Sequence, residues 1–227
     1  QLSGNVADKI TETLDAMIDR RRSFLADYQD SRLADRYVTL VQRVRDAEAA
    51  FDAGNRLANA TARAYFRLLS HKDEYEVARL HTDPEFLEKL QADFGSKTRL
   101  RFHLAPPLLS GKHDARGRPL KREFGAWILP VFRMLARLRR LRGTPFDVFG
   151  YTTERRMERQ LIAEFEKTLE RVLAALDRGT LDRGVEVVEA FLDIRGFGPV
   201  KEEAVAATRE RVDKLLANLE QSEREAA

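Results

Sequence analysis

Leu100–Tyr151 reads LRFHLAPPLLSGKHDARGRPLKREFGAWILPVFRMLARLRRLRGTPFDVFGY, and the fold turns on how this stretch divides. Leu100, Phe102 and Leu104 alternate with Arg101 and His103, which is strand spacing. Ala105-Pro106-Pro107 ends the strand, because proline has no N–H to give to a ladder. Gly111–Leu120 is polar, glycine-rich and basic, so it reads as a loop or turn. Arg118–Phe124 is the expected return strand of a hairpin across Gly111–Gly117. From Gly125 to Arg142 the apolar spacing becomes helical. Trp127, Val131, Met134, Leu138 and Leu141 form the expected core face, and Pro130 begins or kinks the helix. Arg133, Arg137 and Arg140 line a neighbouring flank, and Arg139 and Arg142 add to the local charge. Such a flank is either a solvated face or a site for an anion or acidic partner, because the guanidinium fork suits phosphates and carboxylates.

Plain helical sequence lies on both sides. Val6–Tyr28 is one helix, and Ser31 is the expected cap of a second that runs to about Phe51, with Gly54 as its stop. The two are expected to pair as an antiparallel hairpin. A third helix is predicted over Arg56–Leu80, with Asp73 in the middle of its apolar face. An acid there needs a partner, so Asp73 is either structural, in an ion pair with Arg195 or Lys201 or as an acceptor for loop amides, or a site carboxylate. Thr82 or Asp83 caps a short helix over Pro84–Phe94. Thr152 or Thr153 opens a long one to about Leu176, with a nearly heptad stripe from Met157 to Leu176. Asp177–Gly184 reads as a turn and Val185–Leu192 as a short helix. Arg195-Gly-Phe-Gly-Pro199 is either a tight turn expected to pack Phe197 or a glycine-rich helix start that could hold an anion, and the last helix runs from Pro199 to about Glu220. The expected class is mainly α, with one small antiparallel β element at about residues 98–124. The expected division is a helical hairpin over 1–54 and a mainly helical part over 55–227, packed as one unit. A start at Gln1 points to a fragment of a longer chain.

Composition sets the limits. The 227 residues carry 40 basic and 37 acidic side chains, for a net charge of +3, so any basic footprint is local. Cysteine is absent, which excludes disulfides, thiolate zinc sites, cysteine-held iron–sulfur clusters and a cysteine nucleophile in this chain. His71, His81, His103 and His113 form neither HxH nor HExxH, so no metal site and no catalytic residue is expected. No run of apolar residues is long enough to span a membrane, which makes a soluble, cytoplasmic chain the expectation. The arginine flank and the basic loop favour a helical nucleic-acid-binding module as an alternative, and the near-neutral charge opposes it.

Four strings resemble one family: KDEYEVARL (Lys72–Leu80), RFHLAPPLL (Arg101–Leu109), FDVFGYTTERRMER (Phe146–Arg159) and RGFGPVKE (Arg195–Glu202). They look like the C-terminal domain of the bacterial indolepyruvate ferredoxin oxidoreductases, in the 2-oxoacid:ferredoxin oxidoreductase family. The resemblance runs from about Ala62 to Lys214. It implies a parent enzyme that converts an aryl 2-oxoacid and coenzyme A into acyl-CoA, CO2 and reduced ferredoxin, using thiamine diphosphate and iron–sulfur clusters. This chain lacks the Gly-Asp-Gly diphosphate motif and any cysteine, so the resemblance is to a non-catalytic structural and assembly part. It implies no cofactor here. The implied partners are catalytic domains or subunits of the same enzyme, with ferredoxin or coenzyme A at the arginine flank.

Overall fold

The computed structural model describes residues 12–51, 54–95, 99–104 and 120–226. In order they form α1 (Leu14–Tyr28), α2 (Ser31–Ala49), α3 (Arg56–Leu69), α4 (Glu74–His81), α5 (Pro84–Phe94), β1 (Arg101–Leu104), β2 (Arg122–Gly125), α6 (Leu129–Arg137), α7 (Thr153–Ala174), α8 (Leu181–Ala190) and α9 (Pro199–Ala226). This is the mainly α class with one small antiparallel sheet that the periodicity predicts. The chain divides into two compact units, one taking in residues up to Ser70 and from Met157 onward, the other His71–Arg156. The division therefore falls elsewhere than at 54/55.

The reason lies in α3. Ala58, Ala60, Ala62 and Ala64 are all buried, and these short side chains let α2 and α8 approach one helix from different sides. The α1–α2 hairpin thus shares a core with α3, α7 and α8 and is not a separate domain. Gly184 serves the same packing: a methyl there would lie 3.0 Å from Val172 Cγ1. It sits inside α8 and not in a turn, because the helix already starts at Leu181. Tyr37, Tyr65 and Phe165 stack in sequence, with centroids 6.3 and 5.5 Å apart, and Phe165 meets the edge of Phe191 at 5.0 Å. Leu161, Phe165, Leu169 and Val172 supply the buried stripe of α7, as the heptad spacing predicts. The cap of α2 is Asp30, not Ser31: its carboxylate accepts from the Leu33 amide at 2.9 Å. The predicted helix start at Val6 lies outside the described residues.

Two sequence readings of the second unit are corrected. The helix predicted over Arg56–Leu80 breaks after Leu69 and restarts at Glu74. Asp73 is the new N-cap, accepting from the Glu76 amide at 2.8 Å, and this local bond competes with continuing the helix. The second correction concerns Gly125–Arg142, where a 3-10 turn (Ala126–Ile128), α6 and a second 3-10 turn (Leu138–Leu141) replace one long helix. Its core face is Ile128 and Phe132, packed with Ala78 and Phe102 and flanked by Leu129 and Leu135. Trp127, Val131, Met134 and Leu138 are exposed instead. Apolar residues cover more than half of this helix, and the side that is buried is the one α4 and the hairpin reach. The hairpin pairs Phe102 with Phe124 and His103 with Glu123. Its predicted turn at Gly111–Gly117, and Arg118, lie outside the described residues.

Glu48 passed unmarked in the sequence and is 1% exposed. Its two carboxylate oxygens accept from the Leu57 and Ala58 amides, both at 2.9 Å, across the Gly54–Asn55 turn where both residues have positive φ. It caps the N-terminus of α3 from the preceding helix, because Asn55 makes no side-chain cap bond. Glu48→Ala is expected to destabilise the first unit by about 2–3 kcal/mol, the cost of orphaning two buried amides. Urea unfolding against the parent protein measures it.

Candidate functional site

The polar residues of the second unit converge on Asp73 and Asp147. Asp73 is 4% exposed and receives two hydrogen bonds from Arg142, Nε at 2.5 Å and Nη2 at 2.7 Å. Arg142 is itself 8% exposed and lies over the Tyr75 ring, its guanidinium carbon 5.4 Å from the centroid. Tyr75 donates its hydroxyl to Asp147 at 3.1 Å. Asp147 also accepts from the Gly143 amide at 2.9 Å and the Gly150 amide at 3.1 Å, which draws residues 143–150 into a closed turn. A methyl at Gly150 would lie 2.5 Å from Asp147 Oδ2, so the turn requires glycine there. His71 Nε2 stands 4.0 Å from Asp73.

This geometry corrects two site readings. Arg142 is not part of an anion-binding flank, because its guanidinium is consumed by Asp73. Asp73 does not pair with Arg195 or Lys201. Lys201 bonds Glu158 at 2.5 Å, and Arg195 donates to the Leu192 carbonyl at 3.3 Å. Arg139 is half-buried and donates to the Ala136 carbonyl at 3.0 Å. That leaves Arg133, Arg137 and Arg140 exposed on the outer side of α6 and its C-terminal turn. Phe197, expected to pack, is 68% exposed: Gly196 and Gly198 both take positive φ and turn it outward.

Burial pushes the Asp73 carboxyl up, but the Arg142 hydrogen bonds and charge, the Glu76 amide and His71 outweigh it and hold the carboxyl below its ordinary value. Burial drives the Tyr75 hydroxyl well up, and the Asp147 charge beside it adds to the shift. A proton there stays put as the donor to Asp147. His81 stacks on Phe132 and meets the edge of Phe102, and burial lowers its pKa, with Lys72 adding to the effect. His103 is exposed on the hairpin, and His113 lies outside the described residues. Among the described residues no three His, Asp or Glu side chains group as metal ligands. In the first unit a cleft of about 290 Å³ is lined by α7 and α9 residues including Thr168, Thr208 and Val212, with the Arg209–Glu164 pair at its rim.

The model of a family of unknown function (DUF6537) matches residues 14–214. The chain belongs to that family. The match covers both compact units, so the helical core and the Asp73–Arg142 region both fall within the family's span. No curated protein and no solved structure matches the chain. No helix among the described residues is long and apolar enough to cross a membrane.

A carboxyl whose pKa is depressed by folding contributes stability that is full above its unfolded value and fades as pH falls through its folded value. The Asp73–Arg142 pair is therefore expected to hold the second unit above about pH 4 and to weaken below it. Asp73→Asn should cost about 3–5 kcal/mol near neutrality, because it removes the carboxylate charge that faces the buried Arg142 guanidinium. The difference in stability between parent and variant should shrink as pH falls. Hydrogen exchange of the α4 amides, compared between parent and variant at each pH, measures this, because the Glu74 carboxyl, which burial pushes the opposite way, is common to both.

Proposed function

We propose that this chain is the C-terminal structural and assembly domain of an indolepyruvate (aryl 2-oxoacid):ferredoxin oxidoreductase. Its helical faces pack on catalytic domains or subunits of the same cytoplasmic enzyme, which carry out the bond-breaking. One observation carries the reading: all but Phe197 and Val200 of the exposed large hydrophobic side chains among the described residues belong to His71–Arg156. A unit that leaves Trp127, Met134, Phe146 and Tyr151 more than half exposed is built to be covered by another surface.

The residues behind the resemblance have building roles that fit this reading. Lys72–Leu80 supplies the Asp73 cap and Tyr75, Phe146–Arg159 supplies the Asp147 turn and the start of α7, and Arg195–Glu202 supplies the two positive-φ glycines before α9. Iron–sulfur clusters do not fit this chain, since it has no thiolate to hold one. On this reading they and thiamine diphosphate belong to other parts of the parent enzyme. The exposed arginines favour a second reading, a nucleic-acid-binding module, which would show as affinity for duplex or single-stranded probes falling steeply between about 50 and 200 mM salt.

The protein that contains this segment is expected to oxidise an aryl pyruvate with coenzyme A and reduce a dye acceptor, and absence of that activity sinks the reading. Val131→Glu with Met134→Glu is expected to shift the parent to smaller species in sedimentation. Replacing Arg133, Arg137 and Arg140 by Ala is expected to raise the KM for coenzyme A or ferredoxin about fivefold at low salt and to do little at high salt.

A further inference from the structure

We infer that the outer face of α6 is the docking surface for an acidic amphipathic helix of a partner protein. The inference rests on the geometry of this face and does not draw on the oxidoreductase reading.

The apolar part of the face is a line. At about 100° per residue Val131, Met134 and Leu138 fall within about 60° of one another, and Trp127 lies one turn earlier. Trp127 is 66% exposed and Met134 55%. Tryptophan, methionine and arginine are the residue types enriched in the centres of protein interfaces. The face is also held in place before any partner arrives. Ile128 and Phe132 anchor the inner side of the helix in the small core, and the Arg142–Asp73 pair fixes the chain just beyond it. A surface already ordered loses little conformational freedom on binding.

Charge decides the kind of partner. No Asp or Glu occurs between Glu123 and Asp147, while Arg133, Arg137 and Arg140 are exposed on one flank, roughly 90–150° round the helix from the apolar line. Several arginines on the helices of the first unit meet carboxylates instead: Arg36 with Glu166, Arg43 with Glu170, Arg63 with Glu189 and Arg209 with Glu164. The α6 arginines have no such carboxylate among the described residues. They span α6 and the 3-10 turn after it, about 12 Å along the axis at rises of ~1.5 and ~2.0 Å per residue. That spacing matches carboxylates one and two turns apart on a facing helix. A second copy of this chain fits poorly, because the same helix would bring no carboxylate to the contact. An apolar ridge with arginines along one flank is the complement of a helix carrying an apolar stripe with Glu or Asp along one edge.

Trp127 is the only tryptophan, so its emission reports on this face alone. The probe is a synthetic peptide of about five helical turns, with Leu at helical spacing and Glu on the flanks. Controls are a shuffled peptide of the same composition, polyglutamate of equal charge, coenzyme A, and a single-stranded RNA. The patterned peptide is expected to blue-shift Trp127 and to bind about tenfold more tightly than any control. Replacing Arg133, Arg137 and Arg140 by Glu should lose about tenfold, and a peptide with Lys in place of Glu should restore it. That exchange separates a lost contact from a lost fold. Equal binding of the shuffled peptide, polyglutamate, coenzyme A or RNA overturns the inference, as does failure of the charge exchange. So does self-association of the chain that Met134→Glu abolishes, since the face would then belong to a second copy.

Discussion

A buried carboxylate that must be paired organises the second unit. Asp73 ends one helical segment and caps the next, and Arg142 reaches it from sixty-nine positions further along the chain. Neither charge is tolerable alone at 4% and 8% exposure. The pair therefore fixes where α4 begins and where the segment carrying α6 ends. Tyr75 extends this arrangement, because it touches Arg142 with its ring and Asp147 with its hydroxyl. Asp147 then closes the turn at Gly143–Gly150. One uncompensated charge at Asp73 would loosen α4, the end of α6 and the 143–150 turn together.

That rigidity has a consequence on the outside of the unit. With Phe132 and Ile128 facing inward and Arg142 tied down, α6 has no freedom to roll its other apolar side chains into the core. Trp127, Val131, Met134 and Leu138 stay in solvent because the inner face is already filled. Among the described residues no carboxylate pairs with Arg133, Arg137 or Arg140, whereas several arginines of the first unit cross between helices to meet glutamates. The first unit thus pairs several of its surface arginines internally, and the α6 face pairs none of Arg133, Arg137 and Arg140 with a carboxylate among the described residues.

Much of this was legible in the sequence, and the misses share a cause. Helical spacing located α1, α2, α7 and α9, and the Thr-Asp-Pro string placed α5, capped by Asp83. Strand alternation found β1, and the return strand was predicted within a residue of its C-terminal end. The break at Asp73 was missed because Ala62, Phe66, Leu69, Val77 and Leu80 continue a regular period straight through it, and period carries no information about a cap. The core face of α6 was misassigned because two apolar arcs on one helix look alike until a neighbour chooses between them. The role of Glu48 was invisible, since its bonds go to backbone amides nine and ten residues away.

Sequence by itself determined the helical class, the small hairpin, the concentration of arginines after Pro130 and the absence of thiolate chemistry. These depend on residue type and local spacing, which the chain carries without folding. Only the tertiary structure decided which arginine was buried with Asp73, which were left outside, and which apolar arc of α6 met the core. Those outcomes depend on which distant side chains arrive at the same place, and for a buried charge the partner that arrives excludes all others.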